Sequence, residues 1–300
     1  MITKKENSFI AVFLPHKGIG DIIFHHSFLK SISEHHKKKI ILFASKSSKA
    51  NFIYDKSYFV KKVILVDLRR PNIFLYLYKV LYVAINLSKF RYKILYYTGR
   101  SKWHLIAIKM LSIINNFKIY TNNKRNRFII DFLNDFLKKE KIINRNNFKL
   151  NPSLDSSSKF VKEINKFKKP WVFLSIDTSE NQIQIKNMYL LEIIKNLKKK
   201  YNTIFVNTSV KNSHKTKYLD DKCIQKTHHL NISQINYVIK NSKLFVGNES
   251  GPAIISIIYK IKSFIFVNKN IIPESKKMPN LNKRYYIHIN MIKDKLKRIF

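Results

Sequence analysis

Two short segments combine glycine with side chains that can transfer a proton or bind an anion. The first is Gly18–Asp21 (Gly-Ile-Gly-Asp) and the second is Gly247–Pro252 (Gly-Asn-Glu-Ser-Gly-Pro). The chain has only five glycines, and four of them lie in these segments. In such a glycine-poor chain, the remaining glycines mark positions where a Cβ does not fit or φ is positive. A carboxylate on such a turn can accept a proton from an alcohol.

The first segment lies between a predicted strand and a predicted helix and carries a single carboxylate, Asp21. It is not a dinucleotide-binding fingerprint, because Ile23 occupies the position of the third glycine, and it is not a P-loop. Two interpretations of Asp21 remain open at this point. It caps the helix that begins at Ile22, since Asp is a favoured capping residue, or it acts as a general base at the rim of a sheet.

The second segment follows a predicted strand at Leu244–Val246 and leads into a helix that we expect to begin with Pro252. The N–H groups of Ser250 and Gly251 would then be available to an anion or a sugar hydroxyl. A helix start with no ligand also fits the motif. Because each half of the chain has one such loop after a strand, a binding function is the favoured interpretation.

Strands and helices alternate along the chain, which predicts an α/β fold with parallel sheets. The strands expected in the first half are Phe9–Leu14, Lys39–Ala44, Val63–Val66, Lys93–Tyr97 and Phe117–Tyr120. Its expected helices are Ile22–Ser33, Ile73–Leu87, Trp103–Ile114 and Arg127–Lys139. A polar stretch at Asn144–Ser158 separates the halves, so we predict domains at residues 1–155 and 156–300.

The second half repeats this alternation. Its expected strands are Trp171–Ile176, Thr203–Asn207, Leu244–Val246 and Phe264–Val267. Its expected helices are Lys159–Lys168, Tyr189–Lys199, Ser233–Asn241, a helix from Pro252 and Met291–Ile299. The sequence therefore predicts two Rossmann-like, doubly wound domains that face a central cleft, with ligands at the carboxyl ends of the strands.

Composition narrows the class of protein. One cysteine, Cys223, excludes an internal disulfide, disfavours a zinc module and fits a cytoplasmic protein. The net charge of +40 comes mostly from lysine spread along the chain, whereas a nucleic-acid reader more often concentrates arginine on one face. The paired histidines lie near no carboxylate cluster with metal-ligand spacing, so we expect them to be surface or packed residues. No apolar run predicts a membrane span.

Both glycine segments resemble those of glycosyltransferase family 9, the ADP-heptose:lipopolysaccharide heptosyltransferase family. Gly18–Asp21 with the following helix is similar to the family's N-terminal Gly-Asp loop. Asn241–Pro252 is similar to its donor-binding signature. Weaker similarity at Tyr92–Gly99, Ser101–Lys109 and Leu230–Ile239 extends the resemblance over nearly the whole chain.

The resemblance implies a GT-B fold and an inverting, metal-independent transfer of a sugar from a nucleotide-diphosphate donor. No separate cofactor is implied, and ADP is the favoured donor nucleotide. It implies that Asp21 is the general base and that Gly18 and Gly20 shape its loop. It also implies donor contacts from two groups of residues: Thr178, Ser179 and Lys186, and Glu249, Ser250, Gly251 and Pro252.

Two positions depart from the family pattern. Glu249 stands where the family usually has Asp, and Ile254 stands where it usually has His. These departures imply either a donor sugar other than heptose or a drifted member that binds a nucleotide sugar without turnover. A basic polyanion-binding protein is a third alternative, and nucleic acid is the partner that we disfavour.

The implied partners are the nucleotide sugar and an anionic glycolipid or glycan, for which the positive surface is suited. Peripheral contact with the inner face of the cytoplasmic membrane is a further expectation.

Overall fold

The computed structural model divides the chain into two compact units, Met1–Ser153 (unit 1) and Leu154–Phe300 (unit 2). It describes residues 9–16, 18–55, 57–67, 81–82, 84–85, 87–88, 92–99, 101–122, 128–143, 157–176, 187–208, 219, 221–267 and 284–288. Each unit contains one sheet, and every strand pairing among these residues is parallel.

The sheet of unit 1 has five strands. They are β1 (Phe9–Leu14), β2 (Ile40–Ser45), β3 (Val60–Val66), β4 (Tyr92–Tyr97) and β5 (Lys118–Thr121). Their spatial order is β3-β2-β1-β4-β5. The chain therefore winds outward from β1 to β3 and then restarts beside β1 with β4. The boundary between β1 and β4 is the switch point of the sheet, where ligands of such folds usually bind.

Helices cover the faces of this sheet. They are α1 (Ile19–Phe24), α2 (His26–His36), α3 (Ala50–Tyr54), α4 (Lys102–Asn115) and α5 (Ile129–Lys139). A short 3₁₀ helix spans Lys46–Ser48, and the described residues between 81 and 88 are also helical. All six residues of β2 are buried, as expected for a parallel strand with helices on both faces.

The sheet of unit 2 has six strands. They are β6 (Trp171–Ser175), β7 (Thr203–Asn207), β8 (Ile224–Lys226), β9 (Leu244–Asn248), β10 (Lys262–Val267) and β11 (Arg284–His288). Their order is β11-β10-β9-β6-β7-β8, so the winding reverses between β6 and β9. The helices are α6 (Ser158–Ile164), α7 (Asn187–Lys198), α8 (Ile232–Lys240) and α9 (Gly251–Ile258).

The core of unit 2 shows why the sequence forms this sheet. Val172 and Leu174 of β6, with Val246 of β9, point to the same face and pack against Ile193 and Leu197 of α7. Alternate strand residues share a face, and residues four apart on a helix share a side, so both patterns converge on one apolar layer. Each large aliphatic side chain fully buried there contributes about 1.5–3 kcal/mol.

The structure differs from the sequence-based expectation in several elements. The helix expected over Ile22–Ser33 is divided at His25 into α1 and α2. The short elements α3, β8 and β11 were not predicted. The closing helix expected at Met291–Ile299 lies outside the described residues. The helix expected at Ile73–Leu87 is described only from residue 81 onward.

Candidate functional site

Asp21 lies in the first turn of α1, beyond the carboxyl end of β1 at the switch point of the unit 1 sheet. The N-cap of α1 is Gly18, and no side chain caps it. The interpretation of Asp21 as the N-cap residue is therefore wrong, because the helix begins at Ile19 and not at Ile22. The Asp21 side chain is partly exposed, as a group that meets a substrate must be.

Gly18 provides the space that the Asp21 carboxylate occupies. A Cβ built on Gly18 would lie 3.0 Å from Asp21 Oδ2. That separation is tighter than an ordinary van der Waals contact, so any side chain at position 18 would push on the carboxylate. Gly18 has an extended conformation, with φ −82° and ψ 144°, and its requirement is for space rather than for positive φ.

The His25 side chain holds the backbone of Asp21 in place through a hydrogen bond. Its side chain is fully buried, and its Nδ1 lies 2.6 Å from the Asp21 carbonyl oxygen. A carbonyl oxygen only accepts, so Nδ1 carries the proton and donates it. Burial lowers the pKa of His25 well below its usual value, and neighbouring His16 lowers it further, whereas the bond to Asp21 opposes this shift. The imidazole is therefore neutral, and its Nε2 is an acceptor.

Thr98, just after β4, completes this network. Its Oγ1 lies 3.2 Å from His25 Nε2, 3.4 Å from His16 Nε2 and 3.5 Å from the Phe13 carbonyl oxygen. Since neutral His25 needs a donor, the Thr98 hydroxyl proton points to His25, and His16 Nε2 donates to Thr98. A single network thus joins the ends of β1 and β4 to the first turn of α1.

This network was not predicted from the sequence, which indicated only that the histidines are packed or surface residues. His25 and His26 are both buried, in agreement with the packed alternative. His26 lies in an aromatic pocket, with its ring 5.1 Å from that of Phe59 and 6.0 Å from that of Tyr54. Burial, with a smaller contribution from Lys30, lowers the pKa of His26 to about 4.

The second glycine segment lies at the switch point of the unit 2 sheet. Strand β9 extends to Asn248, two residues beyond the predicted end at Val246, so Gly247 belongs to the strand. Ser250 is the N-cap of α9, Gly251 is its first residue and Pro252 its second. The expectation that Pro252 begins the helix is corrected by one position, and Pro remains compatible with the first turn because no N–H is needed there.

The first turn of α9 has no side-chain cap. Ser250 donates its hydroxyl to the carbonyl oxygen of Asn248, 3.1 Å away, instead of accepting from the helix. N–H groups in the first turn have no intrahelical acceptor, and the helix dipole favours an anion near them. Glu249 and Ser250 are partly exposed, and the Glu249 N–H donates to the carbonyl oxygen of Phe266.

Three buried polar atoms at this edge have no hydrogen-bond partner in the described part of the chain. They are Ser175 Oγ, Asn248 Oδ1 and Thr208 Oγ1, in residues with at most 4% exposure. Ser175 is paired with Gly247 of β9 and with Asn207 of β7. Asn248 and Thr208 are therefore one residue beyond Ser175 on its two sides. Since successive residues of a strand point to opposite faces, the side chains of Asn248 and Thr208 lie on one face of the sheet and that of Ser175 on the other. The three residues form one row along the carboxyl edge of adjacent strands.

The three residues of this row offer a defined set of hydrogen-bond donors and acceptors. Asn248 Nδ2 donates to the carbonyl oxygen of Ile176, 2.9 Å away, which leaves Asn248 Oδ1 as an acceptor. The hydroxyls of Ser175 and Thr208 can donate or accept. An unpaired buried polar group costs about 1–3 kcal/mol, so such groups are expected where a ligand provides the missing partners. Phosphate oxygens and sugar hydroxyls together supply acceptors and donors of this kind.

Gly247 permits the close approach of β9 to β6. A Cβ on Gly247 would lie 2.3 Å from the Ser175 carbonyl oxygen, a distance that no side chain can adopt. Gly247 therefore has a packing role in the central strands and holds Ser175 and Asn248 at adjacent positions. The sequence signal for this row was available, because β6, β7 and β9 all end in polar residues after apolar runs.

The other predicted donor contacts, Thr178, Ser179 and Lys186, lie outside the described residues and remain predictions. The described residues contain no group of three or more His, Cys, Asp or Glu that could hold a metal ion. None of the helices among the described residues has the length and apolar content needed to span a membrane. Ile254, where the resembling family has His, is 4% exposed and packs in the core beside Ala253 and Ile255.

Comparison with solved structures identifies the fold. Glycosyltransferase family 9 from Veillonella parvula DSM 2008 is similar, with a TM-score of 0.74 and 10% identity over 98% of this chain and 89% of that chain. The E. coli heptosyltransferase WaaC with ADP has a TM-score of 0.69 and 10% identity, over 97% and 99%. UDP-GlcNAc 2-epimerase from Methanocaldococcus jannaschii has a TM-score of 0.64 and 11% identity, over 97% and 91%.

No protein-family model matches the sequence, and a search of curated proteins found no match. The structural likeness therefore concerns the fold. The predicted fold class, α/β with two Rossmann-like, doubly wound parallel sheets of the GT-B type, is confirmed.

Proposed function

We propose that this protein is an inverting, metal-independent glycosyltransferase. It moves a sugar, heptose or a related one, from a nucleotide-diphosphate donor to the lipopolysaccharide core or to another glycolipid or glycan. The observation that carries the proposal is the row of unpartnered polar atoms of Ser175, Asn248 and Thr208 at the switch point of a GT-B-type sheet. The resemblance of Gly18–Asp21 and Asn241–Pro252 to family 9 supports it.

Asp21 is the general base in this proposal. Its carboxylate accepts the proton of an acceptor hydroxyl while the oxygen forms a bond to the anomeric carbon of the donor sugar. The bond from that carbon to the donor phosphate oxygen breaks, and the nucleoside diphosphate leaves. One displacement inverts the configuration. The bond from neutral His25 to the Asp21 carbonyl oxygen keeps the first turn of α1 in place during the transfer.

The leaving diphosphate acquires negative charge, which donors and a helix dipole can stabilise without a metal. We assign this role to the first turn of α9 and to the hydroxyls of Ser175 and Thr208. Thr178, Ser179 and Lys186 are further candidates through the family resemblance. Asn248 Oδ1, which can only accept, suits a hydroxyl of the donor.

The sugar preference rests on Glu249 and Ile254. Glu249 extends the carboxylate by one methylene relative to the family's usual Asp, and buried Ile254 offers no hydrogen bond. These two differences make a related sugar with a different hydroxyl pattern the alternative to heptose itself. ADP is the proposed nucleotide, because the similar structures include a heptosyltransferase with ADP.

The decisive experiment measures nucleotide binding to the purified chain. Thermal unfolding is recorded with ADP, UDP, GDP, CMP and their sugar conjugates. A ligand present at about 100 times its Kd adds about 2.7 kcal/mol to the free energy of unfolding, equivalent to roughly 5–10 °C in Tm for a domain of this size. We expect the largest shift with an ADP conjugate.

Variants at the row locate the binding. We expect the paired variant Ser175→Ala/Thr208→Val to lose most of the ADP-dependent shift. Ser242→Ala, a buried hydroxyl bonded to the carbonyl oxygen of Val238 in the same unit, is the matched control and should keep it. Equal shifts in the wild type and the paired variant would remove Ser175 and Thr208 from the donor site.

Three alternatives predict other outcomes. The first is a drifted member that would bind a nucleotide sugar without transferring it. Glu249 and Ile254, which depart from the family pattern, are the reason to consider this alternative. A UDP-GlcNAc epimerase, which shares the fold, would respond to UDP-GlcNAc in preference to ADP conjugates. A polyanion-binding protein would respond to no nucleotide and would bind nucleic acid with an affinity that falls steeply with salt.

We propose a cytoplasmic location with contact at the inner face of the cytoplasmic membrane, where a glycolipid acceptor is accessible. The net charge of +40 favours an anionic leaflet.

A further inference from the structure

Unit 1 exposes a concentration of large apolar side chains on two helical segments. Twelve large hydrophobic residues are exposed in the described part of the chain, and seven of them belong to α4 and the 81–88 segment. These seven are Leu81, Ile85, Trp103, Ile106, Met110, Ile113 and Ile114, and we call them the apolar face. Ile113 and Ile114 are 83% and 76% exposed.

Both segments cover the same side of the unit 1 sheet. Ile108 and Leu111 of α4 and Leu87 of the 81–88 segment belong to one core cluster with Phe13 and Leu95. Phe13 and Leu95 lie on β1 and β4 and contribute to that cluster from one face of the sheet. The two segments are thus part of one helical layer, and the exposed side chains form its outer surface.

The apolar pattern of α4 is unusual for a helix with a solvent-facing side. Trp103, Ile106, Met110 and Ile113 are spaced three or four residues apart, so they form a stripe on one side of the helix. Ala107, Ile108 and Leu111 are buried on the other side. A helix that is apolar on both sides is expected to be covered on both. The outer stripe of α4 therefore requires an apolar partner.

The charge of the residues around the apolar face indicates which kind of partner covers it. No Asp or Glu occurs between Asp67 and Asp131, whereas the same stretch contains seven Lys and six Arg. Six of the nine arginines of the chain are in this stretch, so the positive charge has a local maximum here. On α4 itself, Lys102 and Lys109 are exposed beside the apolar stripe. An apolar stripe flanked by basic residues is the pattern of a helix that lies in a membrane interface.

We propose that the apolar face docks on an anionic lipid bilayer. α4 lies in the plane of the interface, its stripe enters the boundary between headgroups and acyl chains, and Lys102 and Lys109 contact lipid phosphates. A second copy of this chain is a poor occupant, because two surfaces with the same excess of positive charge repel each other. This inference rests on the membrane contact of the proposed function and names the surface that makes it, and lipid binding is measured without sugar transfer.

Trp103 provides a direct probe of docking. The chain has two tryptophans, and Trp171 is fully buried in unit 2, so a change in emission on lipid addition reports Trp103. We expect a blue shift with vesicles of phosphatidylcholine and phosphatidylglycerol and none with phosphatidylcholine alone. The shift should be absent in Trp103→Phe.

Sedimentation with the same vesicles tests the face. We expect Ile113→Ser/Ile114→Ser to lower the partition coefficient by about tenfold or more, since several buried CH₂ equivalents are lost. Lys102→Gln/Lys109→Gln should lower it by about fivefold per lysine. Leu191→Ser, which removes an exposed leucine from unit 2, is the control and should leave it unchanged. Because all these positions are exposed, folding should be preserved, and circular dichroism checks this.

Three outcomes would overturn the proposal. The first is equal partition of the wild type and Ile113→Ser/Ile114→Ser, which would mean that charge alone attracts the protein. The second is an unchanged Trp103 emission on bound protein. The third is a wild-type dimer in light scattering, without lipid, that the same double variant converts to a monomer, because the face would then be a protein interface.

Discussion

The switch points of the two sheets have the same local strand order and differ in their hydrogen bonding. At the switch point of unit 1, Thr98, His25 and His16 bond to one another, and His25 bonds to the backbone of Asp21. At the switch point of unit 2, Ser175, Asn248 and Thr208 each have a buried polar atom without a partner in the described part of the chain.

The polar groups at a sheet edge can therefore serve a function in two ways. A network in which every hydrogen bond is made holds the backbone in one position. Its polar groups are not available to a ligand, and only the side chain that it positions can react. A row of buried polar atoms that lack partners in the described part of the chain can obtain them from a ligand. Unit 1 is thus suited to place a reactive carboxylate, and unit 2 is suited to bind a polar ligand.

The largest expected effect comes from removing the carboxylate. Asp21→Asn should lower sugar transfer by roughly 10²–10⁴-fold, the usual contribution of a general base, while the donor-dependent Tm shift is retained. Transfer is measured by release of the nucleoside diphosphate in the presence of acceptor. Asp55→Asn, an exposed acid of the same unit, is the control. Full turnover in Asp21→Asn would exclude Asp21 as the base.

The pH dependence of stability should differ between the units. The pKa of His26 is about 4 in the folded protein and near 6.5 in the unfolded chain, and burial also lowers the pKa of His25. Below pH 6.5 the unfolded chain therefore binds more protons, so the free energy of unfolding of unit 1 falls as the pH falls. His26 alone accounts for about 3 kcal/mol between pH 6.5 and pH 4.

Urea denaturation from about pH 7 to about pH 4.5 measures this loss. His26→Phe, which suits the aromatic pocket, should reduce the pH dependence, whereas substitution of exposed His35 by Gln should not. No histidine is buried in the described part of unit 2, so its unfolding should respond less to pH in this range. The same pH dependence in His26→Phe as in the wild type would contradict the assignment.

The two glycines should separate packing from catalysis. Gly247→Ala forces a Cβ against the Ser175 carbonyl oxygen and should destabilise unit 2 by about 1–3 kcal/mol. Gly18→Ala meets only the movable Asp21 carboxylate, so we expect a lower rate of transfer with a change in stability of about 0.5 kcal/mol or less. Denaturation curves and transfer rates are measured on both variants. A Gly18→Ala variant with a normal rate would show that the carboxylate position is not critical.

Removal of a hydroxyl should change stability in opposite directions at the two switch points. Thr98→Val removes the hydroxyl between two histidines and should destabilise unit 1 by about 1–2 kcal/mol. Ser175→Ala removes an unpartnered hydroxyl and should leave the free protein equally stable or up to about 1 kcal/mol more stable, while weakening nucleotide binding. Calorimetric Tm values without and with ADP test both. Destabilisation of the free protein by Ser175→Ala would mean that its hydroxyl already has a partner.

Local patterns were sufficient for most of the fold. Strands such as Phe9–Leu14 are short apolar runs before glycine or polar turns, so their burial follows from composition. The break at His25 could not be predicted in this way, because the residues on both sides of it have helical spacing. Strands β8 and β11, with three and five residues, lack a long apolar run and form because their neighbours supply a sheet edge.

Much of the candidate site could also be predicted from the sequence, but the neighbours of its side chains could not. Scarce glycines identified the two loops that the structure places at the switch points. The position of Asp21 inside the first turn of α1 follows from where the helix begins, which the sequence misplaced by three residues. Ser175, Asn248 and Thr208 are separated in sequence, so only the pairing of β6 with β7 and β9 brings them to one sheet edge.

The sequence by itself determined the alternation of elements, the two glycine loops and the excess of positive charge, because these depend on residue type and spacing. The tertiary structure alone decided which polar groups are satisfied and which apolar side chains remain exposed. Burial and hydrogen bonding depend on what the rest of the chain brings within about 3 Å of an atom, and local sequence does not specify those neighbours. Thus Thr98 and Ser175 have similar hydroxyls at the carboxyl ends of similar strands. Their neighbours alone decide that the Thr98 hydroxyl joins a hydrogen-bond network, whereas the Ser175 hydroxyl has no partner in the described part of the chain.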